Sequence, residues 1–326
     1  MSDTGVVEAV DYHTGGEPFR IVTGGVELPQ GATILDRRRD ALARLDHVRR
    51  LLVFEPRGHA DMYGCFVVPA NDDGAELGVV FFHNAGYSTA CGHGTIALVT
   101  WALDEGVVER HEGENHVVVD VPSGRLDTWA QVDNGRVRSV RFRNVPSFVH
   151  AEGLELDDGA TVDVAFGGAF YASLPEQVEP GELPRLIARG RELKRLIEAD
   201  YDIVHPLEPE LRDVYGVIFW QDEGEDPLTQ RNVTVFADGE VDRSPCGSGT
   251  SARLALLDRQ GRLPRGAELR HRSIVGSEFR AHVVGDADVA GIPAVVTEVE
   301  GSAFRTGKHA FTLDPDDPLG EGFLLR

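Results

Sequence analysis

The sequence is nearly without lysine: Lys194 and Lys308 are the only two among 326 residues, and arginine supplies the remaining positive charge. Neither lies in a glycine-rich or phosphate-cradling context. That argues against a pyridoxal-phosphate or Schiff-base enzyme, which needs a buried catalytic lysine. Cysteine is also scarce. Three of them cannot build a disulfide framework, so reduced thiols in a reducing compartment are expected. No run approaches the roughly 18–20 apolar residues of a membrane span. Met1-Ser2-Asp3-Thr4-Gly5 is not a basic region leading into an apolar stretch, so no signal peptide is read and a cytoplasmic location is expected. Positive charge is outnumbered: the net charge is −22, which repels nucleic acid and anionic membrane surfaces and excludes both as partners. An acidic, lysine-poor chain also fits a salt-adapted host. The length suits two domains of about 150–160 residues each, and 41% hydrophobic residues fill their cores.

What is present is a repeat. Cys91-Gly92-His93-Gly94-Thr95-Ile96-Ala97 returns as Cys246-Gly247-Ser248-Gly249-Thr250-Ser251-Ala252, with a further glycine closing each segment at Gly106 and Gly261. Roughly half the chain separates the two. The simplest account is two related halves, each placing one cysteine at one helix start. The third, Cys65, lies in a strand-like apolar run and reads as core.

In chain order, Val6–Val10 and Ile21–Val26 are β-rich and flank Asp11-Tyr12-His13-Thr14-Gly15-Gly16-Glu17-Pro18, either a site-lining loop or a tight turn. Thr33 to Arg50 has helical spacing, and Leu51–Phe54 reads as a strand. A polar loop holding His59 and Asp61 follows; without more ligands at suitable spacing, a metal site there is weakly supported and none is assigned. Leu77–His83 is an apolar strand entering the first anchor. From Gly92 to Glu105 the pattern is helical and apolar on almost every side, which predicts a helix wrapped by strands. His116–Val121, Leu126–Val132 and Val137–Arg143 alternate as strands. The second half repeats the plan: strand-rich Gly159–Leu174, a surface helix over Leu183–Ala199, strands at Tyr215–Trp220 and Asn232–Ala237, a helix over Gly247–Arg259, then strands at Ile274–Val284 and Ala294–Gly301.

A cysteine just before a buried helix sits where backbone N–H groups are unpaired and the dipole is positive. Both features favour the thiolate, and the glycines let an anion approach the same N–H groups. Two such elements together would hold one carboxylate between two thiols. With one deprotonated and one protonated, they could remove a proton from one face of a carbon and return one to the other, as a cofactor-independent α-carbon racemase must. Other readings fit less well. Gly92-x-Gly94-x-x-Ala97 and its counterpart match the loose dinucleotide fingerprint, but no alternating βαβ pattern is evident around them. Gly86-Tyr87-Ser88-Thr89-Ala90 lacks the second glycine of a nucleophile elbow. Cys91-x-His93 alone cannot hold structural zinc. The plainest alternative is a non-catalytic, duplicated small-anion-binding protein whose cysteines are buried helix-start residues.

With Asp11-Tyr12-His13-Thr14-Gly15-Gly16-Glu17, Arg57-Gly58-His59-Ala60-Asp61-Met62-Tyr63-Gly64 and Asp242-Arg243-Ser244-Pro245-Cys246, the two anchors resemble the proline racemase family over about residues 6 to 310. That family comprises proline racemases, 4-hydroxyproline epimerases and trans-3-hydroxy-L-proline dehydratases. The resemblance implies an α/β (α+β) fold like that of diaminopimelate epimerase: two pseudo-symmetric halves, each a sheet rolled around a central helix, with the active site in the cleft. The halves would be 1–145, completed by 306–326, and 146–305. It implies acid/base roles for Cys91 and Cys246. A carboxylate cradle would come from Gly92, His93, Gly94, Gly247, Ser248, Gly249 and Thr250, with Asp242 and His93 on the ring nitrogen. Phe236 would wall the pyrrolidine ring, with Tyr63 as a second wall. No cofactor is implied; proline or hydroxyproline is the substrate, and a homodimer the assembly. In the family's dedicated dehydratases the second cysteine is typically threonine, so Cys246 favours a racemase or epimerase. Leu51-Leu52-Val53-Phe54-Glu55-Pro56-Arg57-Gly58-His59 looks more like the dehydratase branch.

Overall fold

The structure, a computed structural model, describes residues 6–325. The first half runs β1 (Val6–Thr14), β2 (Glu17–Gly24), α1 (Ile34–Arg44), α2 (Asp46–Val53), β3 (Tyr63–Val68), β4 (Leu77–His83), α3 (Gly92–Asp104), β5 (Gly113–Val121), β6 (Gly124–Asp133) and β7 (Arg136–Arg143). The second runs β8 (Ser147–Glu155), β9 (Thr161–Phe166), β10 (Phe170–Pro175), α4 (Leu183–Asp200), β11 (Val214–Glu225), β12 (Leu228–Phe236), β13 (Glu240–Asp242), α5 (Gly247–Arg259), β14 (Leu269–Ser273), β15 (Glu278–Val289) and β16 (Ile292–Gly301), followed by β17 (Ala303–Thr312). The chain separates into two compact units. One comprises residues up to Val140 together with those from Ser302 onward; the other is Arg141–Gly301.

In the first unit the strands pair in the order β17, β1, β2, β3, β4, β5, β6. Two of these pairs, β2 with β3 and β4 with β5, are parallel, and parallel neighbours need a crossover. The pair α1–α2 supplies the first and α3 the second. The second unit repeats the plan. Its strands close a ring, β8–β9–β10–β11–β12–β14–β15–β16 and back to β8. The parallel pairs β10/β11 and β12/β14 are bridged by α4 and α5. The duplication read from the cysteine motifs is thus a duplication of crossovers.

The two anchor helices are 13 residues each and start at Gly92 and Gly247. Twelve residues of α3 and eleven of α5 are buried, so each is a core element wrapped by strands. Both end as the sequence predicts. Gly106 and Gly261 take φ of +71° and +64°, the left-handed turn that satisfies the last carbonyls of a helix and that glycine adopts at least cost.

Three local expectations change. Leu51–Phe54 is not a strand: Leu51, Leu52 and Val53 finish α2 and pack with Leu45 and Val48. A four-residue apolar run fits either a strand or a buried helix, and periodicity alone cannot separate them. The helical stretch from Thr33 is two helices, broken at Leu45. Ile274–Val284 is strand only in part: Ile274–Ser277 forms the turn between β14 and β15, and the strand begins at Glu278. The Gly15-Gly16 loop is a tight hairpin turn with both glycines at positive φ. The expected lack of a βαβ pattern does not hold either, since α3 and α5 each join parallel strands, although from inside the sheet.

Candidate active site

In the first unit Cys91 caps α3 from an extended conformation (φ −154°), and its Sγ accepts the Gly94 N–H at 3.3 Å. A sulfur that accepts a helix-start N–H is well placed to carry negative charge. The geometry demands glycine at 94: a Cβ there would lie 2.7 Å from Sγ and 2.4 Å from the Phe19 ring. The His93 ring nitrogens lie 3.5 Å from the sulfur. Burial pushes the His93 imidazole down to about 3, so it is neutral and offers a hydrogen bond rather than a charge. Phe19 and Tyr63 meet it edge-on, at ring-centre distances of 5.7 and 5.0 Å, and the Thr14 hydroxyl donates to the His93 carbonyl at 2.9 Å. The hairpin turn thereby touches the helix start.

Tyr63 is set by the loop before it. The Arg20 guanidinium pairs with Asp11 at 2.7 Å and donates to the carbonyls of Leu52 (2.5 Å) and Arg57 (2.8 Å). Asn84 closes the other side, accepting from the Met62 N–H at 2.9 Å and donating to the Val53 carbonyl at 2.7 Å. These buried bonds fix where β3 begins, and the Tyr63 hydroxyl then donates to Ser88. His59 and Asp61 belong to this loop. Among the described residues no three or more His, Cys, Asp or Glu side chains are grouped so as to hold a metal. Cys65 is fully buried, and burial holds its thiol well above the ordinary range.

In the second unit Cys246 precedes α5 with φ at +65°, a left-handed conformation that is uncommon and costly for a residue with a Cβ. Its thiol is pushed up to about 12, first by burial and next by the negative Asp242, partly offset by the Gly249 N–H and the Tyr171 hydroxyl. Asp242 is itself raised to about 6 by burial, although the Ser244 hydroxyl and N–H stabilise its charged form; that N–H lies at 2.8 Å. The Tyr171 hydroxyl lies 2.7 Å from Ser248 Oγ and 3.7 Å from Cys246 Sγ. Phe236 stacks on Tyr215 at 5.6 Å, and Tyr215 meets Tyr171 edge-on at 5.9 Å. A Cβ on Gly249 would lie 2.9 Å from the sulfur, so this glycine serves as Gly94 does.

The first unit therefore brings Cys91, Gly92, His93, Gly94 and Tyr63 together. The second brings together Cys246, Gly247, Ser248, Gly249 and Asp242, with Phe236 beside them through Tyr215. Thr250 is placed differently. Its N–H and its hydroxyl both donate inward to the Cys246 carbonyl, at 2.8 and 2.7 Å, so neither faces an incoming anion. Tyr171 and Phe19 touch the anchors yet were not among the sequence candidates. Each is one aromatic in an apolar strand, and no local motif distinguishes it from core.

The proline racemase family model matches residues 9–324. The chain belongs to the proline racemase family. A trans-3-hydroxy-L-proline dehydratase of Bacillus thuringiensis subsp. konkukian is 42% identical over the full length of both chains. A 3-hydroxyproline 2-epimerase of Burkholderia multivorans is 44% identical over 98% of each. Among solved structures, a hydroxyproline epimerase of Agrobacterium vitis with bound trans-4-hydroxy-L-proline is 33% identical. It superposes with a TM-score of 0.92 over 100% of this chain and 97% of that one. The mixed α/β fold is that of this family, whose members include a hydroxyproline epimerase and trans-3-hydroxy-L-proline dehydratases, so this chain is an enzyme, an isomerase or a lyase.

Proposed function

We propose that this protein is a cofactor-independent 2-epimerase of 3-hydroxyproline, with Cys91 and Cys246 as its acid/base pair. One observation carries this reading: each unit has its own cysteine at the start of its own buried helix. A single base can remove an α-proton, but inversion requires a second group that returns one from the other face.

Cys246, kept protonated by burial and by Asp242, is the acid of the resting state, and Cys91, whose sulfur accepts the Gly94 N–H, is the base. The thiolate takes the C2 proton; the thiol delivers its own to C2, and the sulfurs exchange states. N–H groups at Gly92, Gly247 and Ser248 hold the substrate carboxylate, and Asp242 with neutral His93 holds the ring ammonium. Both contacts stabilise charge that develops at C2. Phe236 and Tyr63 are apolar walls. The names of the relatives at 42–44% identity support the 3-hydroxy substrate. The chemistry uses no cofactor, and a cytoplasmic homodimer is the expected assembly.

Those names also favour a second reading, dehydration of the same substrate. The first step is shared. The second thiol's proton then goes to the departing 3-hydroxyl, releasing water and leaving an enamine that tautomerises to a cyclic imine.

Proton NMR of reduced enzyme in D2O, with L-proline, trans-4-hydroxy-L-proline and trans-3-hydroxy-L-proline supplied separately, tests both. Loss of the α-proton signal with appearance of the C2 epimer of the 3-hydroxy compound is the expected result. Cyclic imine alone replaces epimerase by dehydratase. No exchange with any of the three refutes the two-thiol mechanism.

A further inference from the structure

The backbone of Cys246 is held in its left-handed conformation by buried groups that the proposed chemistry does not use. The Asn232 amide nitrogen donates to the Pro245 carbonyl at 3.1 Å and lies 2.7 Å from His271 Nε2. His271 Nδ1 lies 2.7 Å from the Thr250 hydroxyl, which lies 2.7 Å from the Cys246 carbonyl. Asn232, Thr250 and His271 are all fully buried.

The direction of every bond follows. A carbonyl only accepts, so the Pro245 oxygen requires the nitrogen of the Asn232 amide on its side. That same nitrogen faces His271 Nε2, which must therefore accept. His271 then carries its proton on Nδ1 and donates to Thr250, leaving the Thr250 hydroxyl to donate to Cys246. The chain works only with a neutral imidazole, and burial pushes His271 down to about 3. Both carbonyls flanking the Cys246 nitrogen and α-carbon are thus gripped from the interior.

The first unit holds its cysteine by a different chain, without histidine or amide: the Tyr63 hydroxyl donates to Ser88, whose hydroxyl donates to the Ala90 carbonyl at 3.4 Å. The Thr95 hydroxyl donates to the Cys91 carbonyl at 2.9 Å, but it has no further partner among the described residues. Cys91 sits in ordinary extended backbone.

We infer that Asn232, His271 and Thr250 form a positioning network that holds Cys246, and not Cys91, in its strained, reaction-ready orientation. This rests on the two-thiol reading given above. Its consequence is an asymmetric enzyme: breaking the network impairs proton transfer to and from Cys246 and spares removal of the C2 proton by Cys91.

The test compares Thr250→Val, which keeps shape and loses the hydroxyl, with Thr250→Ser, which restores it, and with Thr95→Val in the other unit. Exchange of the α-proton in D2O is measured separately from each C2 epimer of the substrate. In Thr250→Val, kcat for exchange from one epimer is expected to fall at least about tenfold, as loss of a buried hydrogen bond implies. KM and exchange from the other epimer stay near wild type, and Thr250→Ser recovers the lost rate. A role in stability alone would lower both epimers together, and that result overturns the inference, as does equal asymmetry in Thr95→Val. A crystal structure of Thr250→Val gives a readout independent of activity. Cys246 is expected to leave the left-handed region, and φ still near its wild-type value overturns the network whatever the substrate is. If Thr250→Val does not fold, His271→Gln, which keeps an acceptor for Asn232 and loses the donor to Thr250, reads the same arm. Failure of wild-type exchange with every compound would sink the functional reading alone, leaving the crystal structure to decide the network.

Discussion

Adding one methyl group at Gly94 tests how tightly the first thiol is held. The new Cβ would lie 2.4 Å from Phe19 Cε2, 2.8 Å from its Cζ and 2.7 Å from Cys91 Sγ, whereas ordinary contact begins near 3.4 Å. Phe19 cannot retreat. It is fully buried and boxed in by Tyr63, Phe81 and His93, with ring centres 5.7–6.3 Å away. Relief must therefore come from the helix start and the sulfur. Overpacking of this kind costs about 1–3 kcal/mol, equivalent to a Tm lower by roughly 3–10 °C in a unit of this size. A sulfur displaced by something approaching 1 Å loses on the order of 100-fold in rate. Gly106→Ala is the control. No atom lies within 4 Å of a Cβ there, but φ is +71°, so it costs about 1–2 kcal/mol of backbone strain and leaves turnover untouched. Thermal melts and α-proton exchange, measured on both variants, separate the effects. If Gly94→Ala melts and turns over like wild type, or if both variants lose rate equally, the packing argument around Cys91 is wrong.

Two further outcomes follow from buried groups. His93 and His271 are held down to about 3, so between about 6.5 and about 3 the unfolded chain takes up protons that the folded chain refuses, and stability falls with pH. At pH 5 each removes roughly 2 kcal/mol, while Asp242, raised to about 6, works in the opposite direction and returns roughly 1 kcal/mol. Unfolding free energies from urea titrations at pH 7.5 and 5.0 are expected to differ by the net loss of roughly 3 kcal/mol, with a visibly smaller difference in His271→Asn; an equal difference in that variant contradicts the expected sign. Cys65→Ser buries a hydroxyl in a fully buried strand position and should destabilise by about 1–3 kcal/mol, with kcat unchanged. A lowered kcat at an unchanged Tm would give Cys65 a role in the chemistry.

The repeat of Cys-Gly-x-Gly-Thr, the closing glycines and the apolar runs behind them carried the two buried helices, their ends and the family in the order of residues alone. These features are local: a helix start, a left-handed cap and an all-round apolar helix are each written within about 15 residues. The same holds for Cys65 in the core and for the inward-facing strands. Leu51–Phe54 shows where local information stops. Its fate as the end of α2 was decided by the core that received it. Pairing decided more, because β17 joins β1 across some 300 residues and hydrophobic pattern names no partner. The finer parts of the site are also tertiary. Nothing in the spacing tells that Cys246 takes positive φ while Cys91 does not, that Thr250 turns inward, or that His271 and Tyr171 reach the second anchor from distant strands. Those positions follow from which strands neighbour the helix start, and burial among them then determines which groups stay neutral and which sulfur keeps its proton.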